Sequence, residues 1–403
     1  MSPPEPAPAP GDPDPAPEVL SFGCRLNHFE SEALRARTRS PRAGDLVIVN
    51  SCAVTAQAER EVRKAIREAR RRRPRARIVV TGCAAQLDPA RWAAMPEVDA
   101  VLGRAEKEAL LSGELLQSFE TRTRAFLQVQ NGCDHRCSFC VIRLARGPSR
   151  SVALARVVAQ AAGFAAAGAG EVVLSGVDLT AWGGDLPGAP ALGDLVAAIL
   201  AGAPSLRRLR LSSLDPAEID ERLWQLFADE PRLMPHLHLS IQSGDDLVLR
   251  RMLRRHRRAD LLRVAERARR LRPEVALGAD LIAGFPTESE AAFERTLALV
   301  DACGLVYLHV FPYSERPGTA AARMPQLPQA LRRERAARLR AAGDAARERF
   351  LAAKVGRREE VLAERNGVGH TPDFAPVQLA APWQAGSFRH VRVRGVSQGR
   401  LLE

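Results

Sequence analysis

Short apolar runs alternate with polar or amphipathic segments along most of this 403-residue chain. Three runs near the N-terminus have the length and the β-branched content of strands: residues 19–22, 46–49 and 78–80. Between the last two, residues 57–73 place apolar side chains at i, i+3, i+4 and i+7, and Pro74 follows, so they predict a helix. Strands that alternate with helices predict an open parallel α/β domain here.

The same alternation returns at residue 124. Six further strands are predicted: residues 125–130, 171–175, 206–211, 236–241, 275–282 and 305–311. Helical patterns separate most of them: residues 152–167, 192–200, 217–228, 259–271 and 288–303. Right-handed crossovers between successive strands would build a curved parallel sheet with helices outside. Six units fall short of the eight of a closed barrel, so we predict a partial (βα)6 barrel.

The last part of the chain changes character. Residues 329–350 have the composition of a long Arg/Ala-rich helix, whereas short apolar runs lie between Gly, Pro and Asn turns after residue 354. These runs predict a small C-terminal β-barrel, and its excess of basic side chains suits either nucleic-acid binding or simple solubility. The predicted boundaries are a disordered Pro/Ala-rich tail at 1–17 and domains at 18–118, 119–345 and 346–403.

Composition narrows the class of protein. Hydrophobic residues make up 46% of the chain and charged residues 26%, as in ordinary globular proteins, but the formal net charge of +12 favours a polyanionic partner. No run reaches the ~18 apolar residues of a membrane span, and the N-terminus lacks a signal-peptide pattern, so we expect no membrane association and a cytoplasmic location. In that reducing compartment, seven cysteines indicate metal binding or catalysis rather than disulfides.

Three of the cysteines form a compact motif, here called the barrel triplet. Cys133, Cys137 and Cys140 follow the predicted strand at 125–130 on a short polar loop. Iron–sulfur clusters usually take four thiolates, so a 4Fe-4S cluster held by these three would leave one iron open to a small-molecule ligand. His135 keeps a second interpretation open, since it could complete a Cys3His zinc site.

Three other cysteines, here called the N-terminal triplet, each follow one of the first strands: Cys24, Cys52 and Cys83. The carboxyl ends of parallel strands meet at one edge of a sheet, where ligands bind, so these thiols could form a second three-thiolate site. Taken singly, each would more commonly be a small buried hydrophobe. Cys303 has no such context and is predicted to be a core residue.

The Cys-x3-Cys-x2-Cys spacing, with Phe139 before the last cysteine, resembles the cluster motif of the radical S-adenosylmethionine (SAM) superfamily. From residue 18 onward, the chain resembles a radical SAM methylthiotransferase with a C-terminal RNA-binding TRAM domain. Within that family it is most similar to the branch that acts on N6-threonylcarbamoyladenosine in tRNA. Six segments carry the resemblance: residues 23–27, 30–32, 50–55, 81–86, 145–151 and 309–314. One departure is the short stretch at 33–45, where the family usually has a further strand.

The resemblance implies two 4Fe-4S clusters. The barrel triplet would hold the cluster that binds SAM at its open iron, and the N-terminal triplet would hold an auxiliary cluster whose open iron carries sulfur. A 5′-deoxyadenosyl radical from SAM would abstract hydrogen from C2 of the modified adenine, and a second SAM would methylate the sulfur that is transferred. Both open irons are expected to face one cavity.

The resemblance also implies SAM contacts after successive barrel strands: Ser175 and Gly176, Ser212 and Ser213, Gln242, and Asp280 with Gly284. Turn chemistry or strand-end hydrogen bonding would explain the serines at 212 and 213 and the glutamine at 242 equally well. Phe311 and Tyr313 are candidates for stacking on a splayed-out adenine. The basic runs at 70–73 and 250–258 suit tRNA phosphates, although both could be solvated helix surfaces.

The expected partners are the anticodon stem-loop of tRNA, an electron donor such as flavodoxin or ferredoxin, and a sulfur donor. Two other branches of the family leave rival substrates, isopentenyladenosine in tRNA or a ribosomal protein. A zinc-containing RNA-binding protein without turnover is the rival of another class. Iron and sulfide content would separate that protein from an iron–sulfur enzyme.

Overall fold

The computed structural model describes residues 16–38, 45–113, 115–119, 123–381 and 383–403. The chain folds as two compact units, which divide between residues 114 and 115. Most of the predicted tail at 1–17 therefore lies outside the described residues, as do residues 39–44 of the shortened stretch. Among the helices so described, none has the length and apolar character needed to cross a lipid bilayer.

The first unit is an α/β domain built on four parallel strands. In chain order its elements are β1 (Glu18–Ser21), α1 (Arg25–Thr38), β2 (Leu46–Ser51), α2 (Ala56–Arg72), β3 (Arg77–Gly82), α3 (Cys83–Leu87), α4 (Pro89–Ala93), β4 (Ala100–Val101) and α5 (Arg104–Leu111). The sheet order is β1-β2-β3-β4, and every pairing is parallel. The predicted open parallel domain is confirmed.

Helix α2 illustrates how the sequence pattern sets local structure. Thr55 caps its N-terminus, because its side-chain oxygen accepts a hydrogen bond from the Ala58 amide at 3.1 Å. The predicted apolar face is fully buried at Val62, Ile66 and Ala69 and packs on β2 and β3. Arginines in the last turn suit the negative end of the helix dipole. The helix therefore covers one face of the sheet and leaves its basic side to solvent.

The second unit begins with a barrel of six parallel strands. Its elements are β5 (Arg124–Gln128), β6 (Gln130–Asn131), α6 (Ile142–Arg146), β7 (Arg150–Ser151), α7 (Leu154–Ala166), β8 (Glu171–Ser175), α8 (Leu192–Gly202), β9 (Arg208–Leu211), α9 (Glu221–Asp229), β10 (His236–Gln242), α10 (Asp246–Arg251), α11 (Arg258–Leu271), β11 (Ala276–Ala283), α12 (Glu290–Ala302) and β12 (Leu305–Pro312). All six predicted barrel strands and the five predicted helices between them are present. The β6/β7 hairpin and the short helices α6 and α10 were not predicted.

The barrel strands form two parallel three-stranded sheets, β5-β8-β9 and β10-β11-β12. Leu214, which follows β9, joins them. Its amide donates to the His238 carbonyl at 2.8 Å, and its carbonyl accepts from the Ser240 amide at 2.9 Å. The result is the predicted partial barrel, whose carboxyl strand ends meet at one rim.

The chain continues through helix α13 (Gln329–Ala352) into a C-terminal β module. Its strands are β13 (Arg358–Ala363), β14 (Val368–His370), β15 (Pro376–Gln378), β16 (Phe388–Arg392), β17 (Gly395–Ser397) and β18 (Arg400–Leu402). Their order is β16-β13-β14-β15-β18-β17, and all pairings are antiparallel except that of β15 with β18. Leu351, Val361 and Val377 belong to its buried core. The small C-terminal β-barrel predicted from the sequence corresponds to this mixed six-stranded sheet with its own buried core.

The C-terminal module packs against the amino ends of the barrel strands. Phe374 lies in the turn before β15, and its ring is 4.8 Å from the Arg124 guanidinium, 4.9 Å from that of Arg210 and 5.4 Å from the His236 ring. Arg124 also pairs with Glu364 at 2.9 Å. These contacts cover the end of the barrel opposite the cysteine loop.

Candidate active site

The barrel triplet lies on the loop between β6 and α6, beyond the carboxyl end of β5. The loop turns at Gly132, whose φ of +74° suits glycine, and a Cβ there would lie 1.8 Å from a carbonyl oxygen of the neighbouring chain segment. The Cys133 amide donates to the Gly147 carbonyl at 3.1 Å, and the Cys140 amide donates to the Cys137 carbonyl at 3.2 Å. Backbone hydrogen bonds therefore hold both ends of the motif.

The three thiols lie close enough to influence one another. Burial and the neighbouring Cys137 raise the pKa of Cys140 to about 11, and burial, Asp178 and Cys140 raise the pKa of Cys133. For Cys137 burial acts in the same direction, but a hydrogen bond with His135 and the charge of Arg254 outweigh it and lower the pKa. Three convergent sulfurs form a donor set that fits an iron–sulfur cluster, and cluster binding would displace their protons.

Charged side chains surround the barrel triplet. Arg254 brings Nη1 to 3.6 Å from the Cys137 Sγ, and its Nη2 donates to Asp215 and to the Ser240 carbonyl, both at 2.9 Å. The Cys133 thiol donates to Asp178 at 3.5 Å. The Arg254 side chain is only 7% exposed, so its charge acts on sulfur at short range with little screening by solvent. A cation in this position favours an anionic thiolate.

His135 bears on the zinc interpretation. Its Nε2 lies 2.9 Å from Asp178 and 3.5 Å from Glu218, and hydrogen bonds to Asp178, Cys137 and Glu218 raise its pKa to about 11. The ligand atoms of Cys133, His135 and Asp178 lie within 4.8 Å of one another. A zinc ion would therefore meet a mixed Cys/His/Asp set here instead of the Cys3His set expected from the sequence. The metal content of the purified protein, zinc or iron, would distinguish a zinc site from an iron–sulfur cluster.

Gln130 braces the cysteine loop from inside. It is fully buried in β6, and its amide nitrogen donates to the Gly132 carbonyl at 2.8 Å and to the Ser149 hydroxyl at 2.9 Å. Its amide oxygen accepts from the Asp178 amide at 2.9 Å. One side chain thereby connects the start of the loop, the segment before β7 and the turn after β8.

The members of the N-terminal triplet follow β1, β2 and β3, three neighbouring strands of one sheet. Ser51 pairs with Gly82, so Cys52 and Cys83 leave adjacent strands at the same level. A Cβ at Gly23, whose φ is +92°, would lie 2.6 Å from the Cys52 Sγ. Glycine therefore lets this sulfur approach the chain next to the first cysteine. Three thiols at one sheet edge fit a second three-coordinate cluster site.

Buried polar side chains support these strand ends. Asn27 donates to the Ser51 carbonyl at 3.0 Å, and Asn50 donates to the Asn27 carbonyl at 3.0 Å and to Glu30 at 3.3 Å. Lys107 pairs with Glu30 at 2.9 Å, and both side chains are buried. Because buried polar groups are costly without partners, this network holds α1 and α5 in one arrangement against the sheet.

Among the predicted SAM contacts, Ser175, Gly176 and Ser212 lie at the carboxyl ends of β8 and β9. Ser175 is fully buried, and its hydroxyl donates to the Val173 carbonyl at 3.3 Å. A Cβ at Gly176 would lie 3.0 Å from the Gln130 amide oxygen, so the lack of a side chain at this glycine leaves room for the Gln130 side chain. Ser212 is 6% exposed, and its hydroxyl has no hydrogen-bond partner among the described residues. Ser212 thus has unused hydrogen-bonding capacity at the rim.

Ser213 and Asp280 meet each other and two histidines, His238 and His309, that were not predicted as site residues. Ser213 Oγ donates to Asp280 Oδ2 at 3.3 Å, whereas Oδ1 lies 3.0 Å from His238 Nε2 and 3.1 Å from His309 Nδ1. Burial alone would raise the pKa of Asp280, but the two histidines outweigh it and hold that pKa well below its usual range. Gln242 ends β10 with a φ of +71°, which is rare for a residue other than glycine.

Gly284, Phe311 and Tyr313 have different surroundings. The Gly284 amide donates to Glu288 at 2.9 Å, and a Cβ at this glycine would lie 2.7 Å from the Arg332 side chain. Tyr313 is 5% exposed, whereas Phe311 is 36% exposed. Phe311 is therefore the accessible one of the two aromatic candidates for base stacking, and a SAM contact at Gly284 stays a prediction.

The two basic runs are only partly available to a partner. In the first, Arg70 pairs with Asp99 at 2.6 Å and Arg72 with Glu18 at 2.9 Å. In the second, His256 is buried, and its Nε2 donates to the Ile241 carbonyl at 3.0 Å. The exposed members include Arg71, Arg250, Arg257 and Arg255, although Arg255 pairs with Glu218. Each run thus combines structural and surface side chains.

Sequence reasoning missed four residues around the barrel triplet: Gln130, Asp178, Asp215 and Arg254. The two aspartates share a signal that could have found them, since each follows the carboxyl end of a barrel strand. Gln130 shares it, because it lies two residues after β5, but Arg254 has no such local pattern. Arg254 and Cys137, for example, are 117 residues apart and meet only through the fold.

Two family models match the chain in the regions of the two triplets. The model of the Radical SAM superfamily matches residues 127–300, and that of Uncharacterized protein family UPF0004 matches residues 18–103. Among solved structures, the radical S-adenosylmethionine methyltransferase TsrM from Kitasatospora setae is 18% identical, with a TM-score of 0.51 over 74% of this chain and 67% of that one. This similarity supports the fold.

Several relatives match over most of their length. Threonylcarbamoyladenosine tRNA methylthiotransferase MtaB of Rickettsia prowazekii is 45% identical over 95% of this chain and 96% of its own. The protein of the same name from Thermotoga maritima is 35% identical over 95% of each chain. A tRNA-2-methylthio-N(6)-dimethylallyladenosine synthase from Novosphingobium aromaticivorans is 36% identical over 91% of this chain and 92% of its own. This chain therefore belongs to the radical SAM methylthiotransferase family, in its threonylcarbamoyladenosine tRNA methylthiotransferase branch.

Proposed function

We propose that this chain adds a methylthio group to C2 of N6-threonylcarbamoyladenosine next to the anticodon of tRNA. The observation that carries the proposal is the presence of two separate three-thiol sets, each at the carboxyl ends of parallel strands, in a chain 45% identical to an MtaB protein. Replacing a C–H bond by a C–S bond needs both a means of removing hydrogen and a source of sulfur. Two incompletely ligated cluster sites answer those two needs.

Each triplet would hold a 4Fe-4S cluster, and the barrel site would also take SAM. When bound, these cofactors supply the hydrogen abstraction and the sulfur. The protein's own residues hold the site in place: Gln130 fixes the cysteine loop, and Arg254 places a positive charge beside Cys137. The C-terminal module covers the amino end of the barrel and limits the access of water from that side. That the two clusters face one cavity stays a prediction.

SAM would lie along the carboxyl rim of the barrel. The proposed contacts are those predicted from the sequence: Ser175, Gly176, Ser212, Ser213, Gln242, Asp280 and Gly284. The hydroxyl of Ser212 supports this placement, because among the described residues it has no partner although it is buried. Gln242 supports it through its unusual backbone conformation at the rim, since residues held at positive φ cluster at functional sites.

For tRNA we propose phosphate contacts from exposed basic side chains in both units. Helix α2 presents one such row at i, i+4, i+7 and i+11: Arg60, Lys64, Arg67 and Arg71. If these side chains bind phosphates, the logarithm of the tRNA binding constant should fall linearly with the logarithm of the salt concentration. The slope should become shallower as members of the row are replaced. The C-terminal module would act as a TRAM-like RNA-binding domain. A reductant such as flavodoxin or ferredoxin and a sulfur donor complete the proposed partners, in the cytoplasm.

Nucleoside analysis tests the proposed substrate. We expect tRNA from a strain that lacks this gene to lose 2-methylthio-N6-threonylcarbamoyladenosine and to accumulate its precursor without the methylthio group. Retention of the methylthio nucleoside would contradict the proposal, and loss of the isopentenyladenosine derivative instead would favour the activity of the Novosphingobium aromaticivorans relative. Anaerobically purified protein should carry about eight irons with sulfide, whereas colourless protein with zinc would favour the non-catalytic RNA binder.

A further inference from the structure

Strand β12 presents two accessible side chains on one face. The His309 side chain is 57% exposed, and Phe311 is 36% exposed. Leu308, the residue before His309, faces the other way, because a Cβ on Gly343 of α13 would lie 2.7 Å from its Cδ1. His309 and Phe311 therefore share the face of β12 that is turned away from α13, toward the neighbouring Asp280.

Among the described residues, His309 is hydrogen-bonded through one ring nitrogen, Nδ1. Asp280 lies directly opposite it on β11, and the carboxylate lies 3.1 Å from His309 Nδ1. His238 approaches the same carboxylate oxygen at 3.0 Å, and the two imidazole rings are 4.6 Å apart. In the part of the chain that the structure describes, no group is within hydrogen-bonding distance of His309 Nε2. A protonated imidazole donates from both nitrogens, so the anchored ring can offer its second N–H to a ligand.

The spacing of the two side chains fits one particular nucleoside. Residues two apart on a strand are separated by roughly 6.6 Å. That distance is comparable to the reach of a threonylcarbamoyl group from the exocyclic nitrogen of adenine to its carboxylate. Resting on the proposed function, we propose that the target adenine stacks on Phe311 and that His309 receives the carboxylate of its threonylcarbamoyl group. His309 is then the residue that selects the substrate, and Asp280 and His238 hold the His309 ring in position.

This arrangement would also reject the wrong substrate. An isopentenyl group carries neither charge nor hydrogen-bond acceptor, so it would bury the His309–Asp280 pair without replacing the water it displaces. Sites built around a hydrogen bond discriminate strongly against analogues that lack it. A single polar cluster on β10, β11 and β12 would thus separate two substrates whose adenine rings are identical.

The test compares two synthetic anticodon stem-loops, one with threonylcarbamoyladenosine and one with its methyl ester, in competition for reconstituted enzyme. We expect the unaltered protein to prefer the free acid by about tenfold or more in kcat/KM, as for a hydrogen bond to a charged group. In His309→Gln the preference should fall to about twofold. His390→Gln, at an exposed histidine of the C-terminal module, is the matched control and should keep the full preference.

The outcomes separate the inference from the proposed function. If the unaltered protein modifies neither RNA, the proposed function fails. If it modifies the acid but His309→Gln retains the same acid-over-ester preference, the inference about His309 is overturned while the function stands. A fall in 5′-deoxyadenosine formation without RNA, together with an unchanged preference, would assign His309 to the cofactor and likewise overturn the inference. Equal thermal unfolding of the three proteins confirms that the comparison concerns folded enzyme.

Discussion

Glu171 and Arg210 form a doubly hydrogen-bonded ion pair inside the barrel, with Nε to Oε1 at 2.7 Å and Nη2 to Oε2 at 2.9 Å. Neither side chain is more than 1% exposed. Arg124 lies 4.0 Å from the same carboxylate, and Phe374 of the C-terminal module packs on both arginines. The amino end of the barrel is therefore filled by a charged layer whose members depend on each other, since a buried charge is tolerated only with its partner.

We expect Arg210→Met to destabilise the second unit by about 3 kcal/mol, because it leaves the Glu171 carboxylate buried with only its more distant partners. The double variant Glu171→Met/Arg210→Met should recover most of that loss, since it removes both charges. Urea unfolding at neutral pH measures both. If the single and the double variant were equally unstable, lost packing rather than an unpaired charge would be the cause.

The same pair makes stability depend on pH. Burial would raise the pKa of Glu171, but Arg210, with Arg124 and Arg208, outweighs it and holds the pKa at about 2, below the ordinary 4.5. Because the folded pKa is the lower one, the stabilisation is present above pH ~4.5 and is lost as the pH falls toward ~2. The free energy of unfolding should therefore fall more steeply with acid in the unaltered protein than in the double variant. Loss of the clusters in acid affects both proteins alike, so the comparison between them isolates the contribution of Glu171. If the two curves of unfolding free energy against pH were parallel, the assignment of this pH dependence to the Glu171–Arg210 pair would be wrong.

Gly23→Ala should impair the N-terminal cluster site. The new Cβ would lie 2.6 Å from the Cys52 Sγ, so the sulfur must move from its position beside the first cysteine. We expect iron to fall from about eight toward about four per chain, while SAM cleavage at the barrel persists. Gly168→Ala is the matched control, because its φ of +89° imposes the same backbone strain with no atom within 4 Å. Full iron content in Gly23→Ala would refute this role.

Arg254→Gln should make the barrel cluster harder to reduce. Reduction adds negative charge next to a guanidinium that lies 3.6 Å from the Cys137 Sγ, so removal of that cation should lower the potential by roughly 60 mV, which is a tenfold change for one electron. Arg257→Gln, at an exposed position of the same basic run, should leave the potential unchanged. Redox titration monitored by electron paramagnetic resonance measures both, and an unchanged potential in Arg254→Gln would count against the electrostatic role.

Cys137→Ala should abolish SAM cleavage and leave tRNA binding nearly intact, because it would remove one of the three proposed cluster ligands at a loop held by separate backbone contacts. Cys303→Ala serves as its control, since Cys303 is a buried core residue, 1% exposed, as predicted. Chromatography of 5′-deoxyadenosine and a filter-binding assay with tRNA check the two halves. Continued 5′-deoxyadenosine formation in Cys137→Ala would show that the barrel triplet does not hold the SAM-binding cluster.

Local patterns in the sequence predicted most of the regular structure. The strand at 171–175 was predicted from a continuous apolar run, because both of its faces are buried. The apolar face of α2 was predicted because burial on one side imposes a period on the side chains. The β6/β7 hairpin was missed, since strands of two residues have no measurable period. Gln242 was singled out from the sequence, but its positive φ could not be anticipated, because it follows from the constraints of the surrounding rim and not from its side chain.

The sequence by itself determined the alternation of strands and helices, the two cysteine triplets and the strands they follow, because those features depend on residues near one another in the chain. Only the tertiary structure decided which distant groups meet: Arg254 at Cys137, and His238 and His309 at one carboxylate oxygen of Asp280. The physical reason is that these contacts are short-ranged. Side chains on different elements interact only after the barrel has brought them within a few ångströms, and no spacing along the chain records that distance.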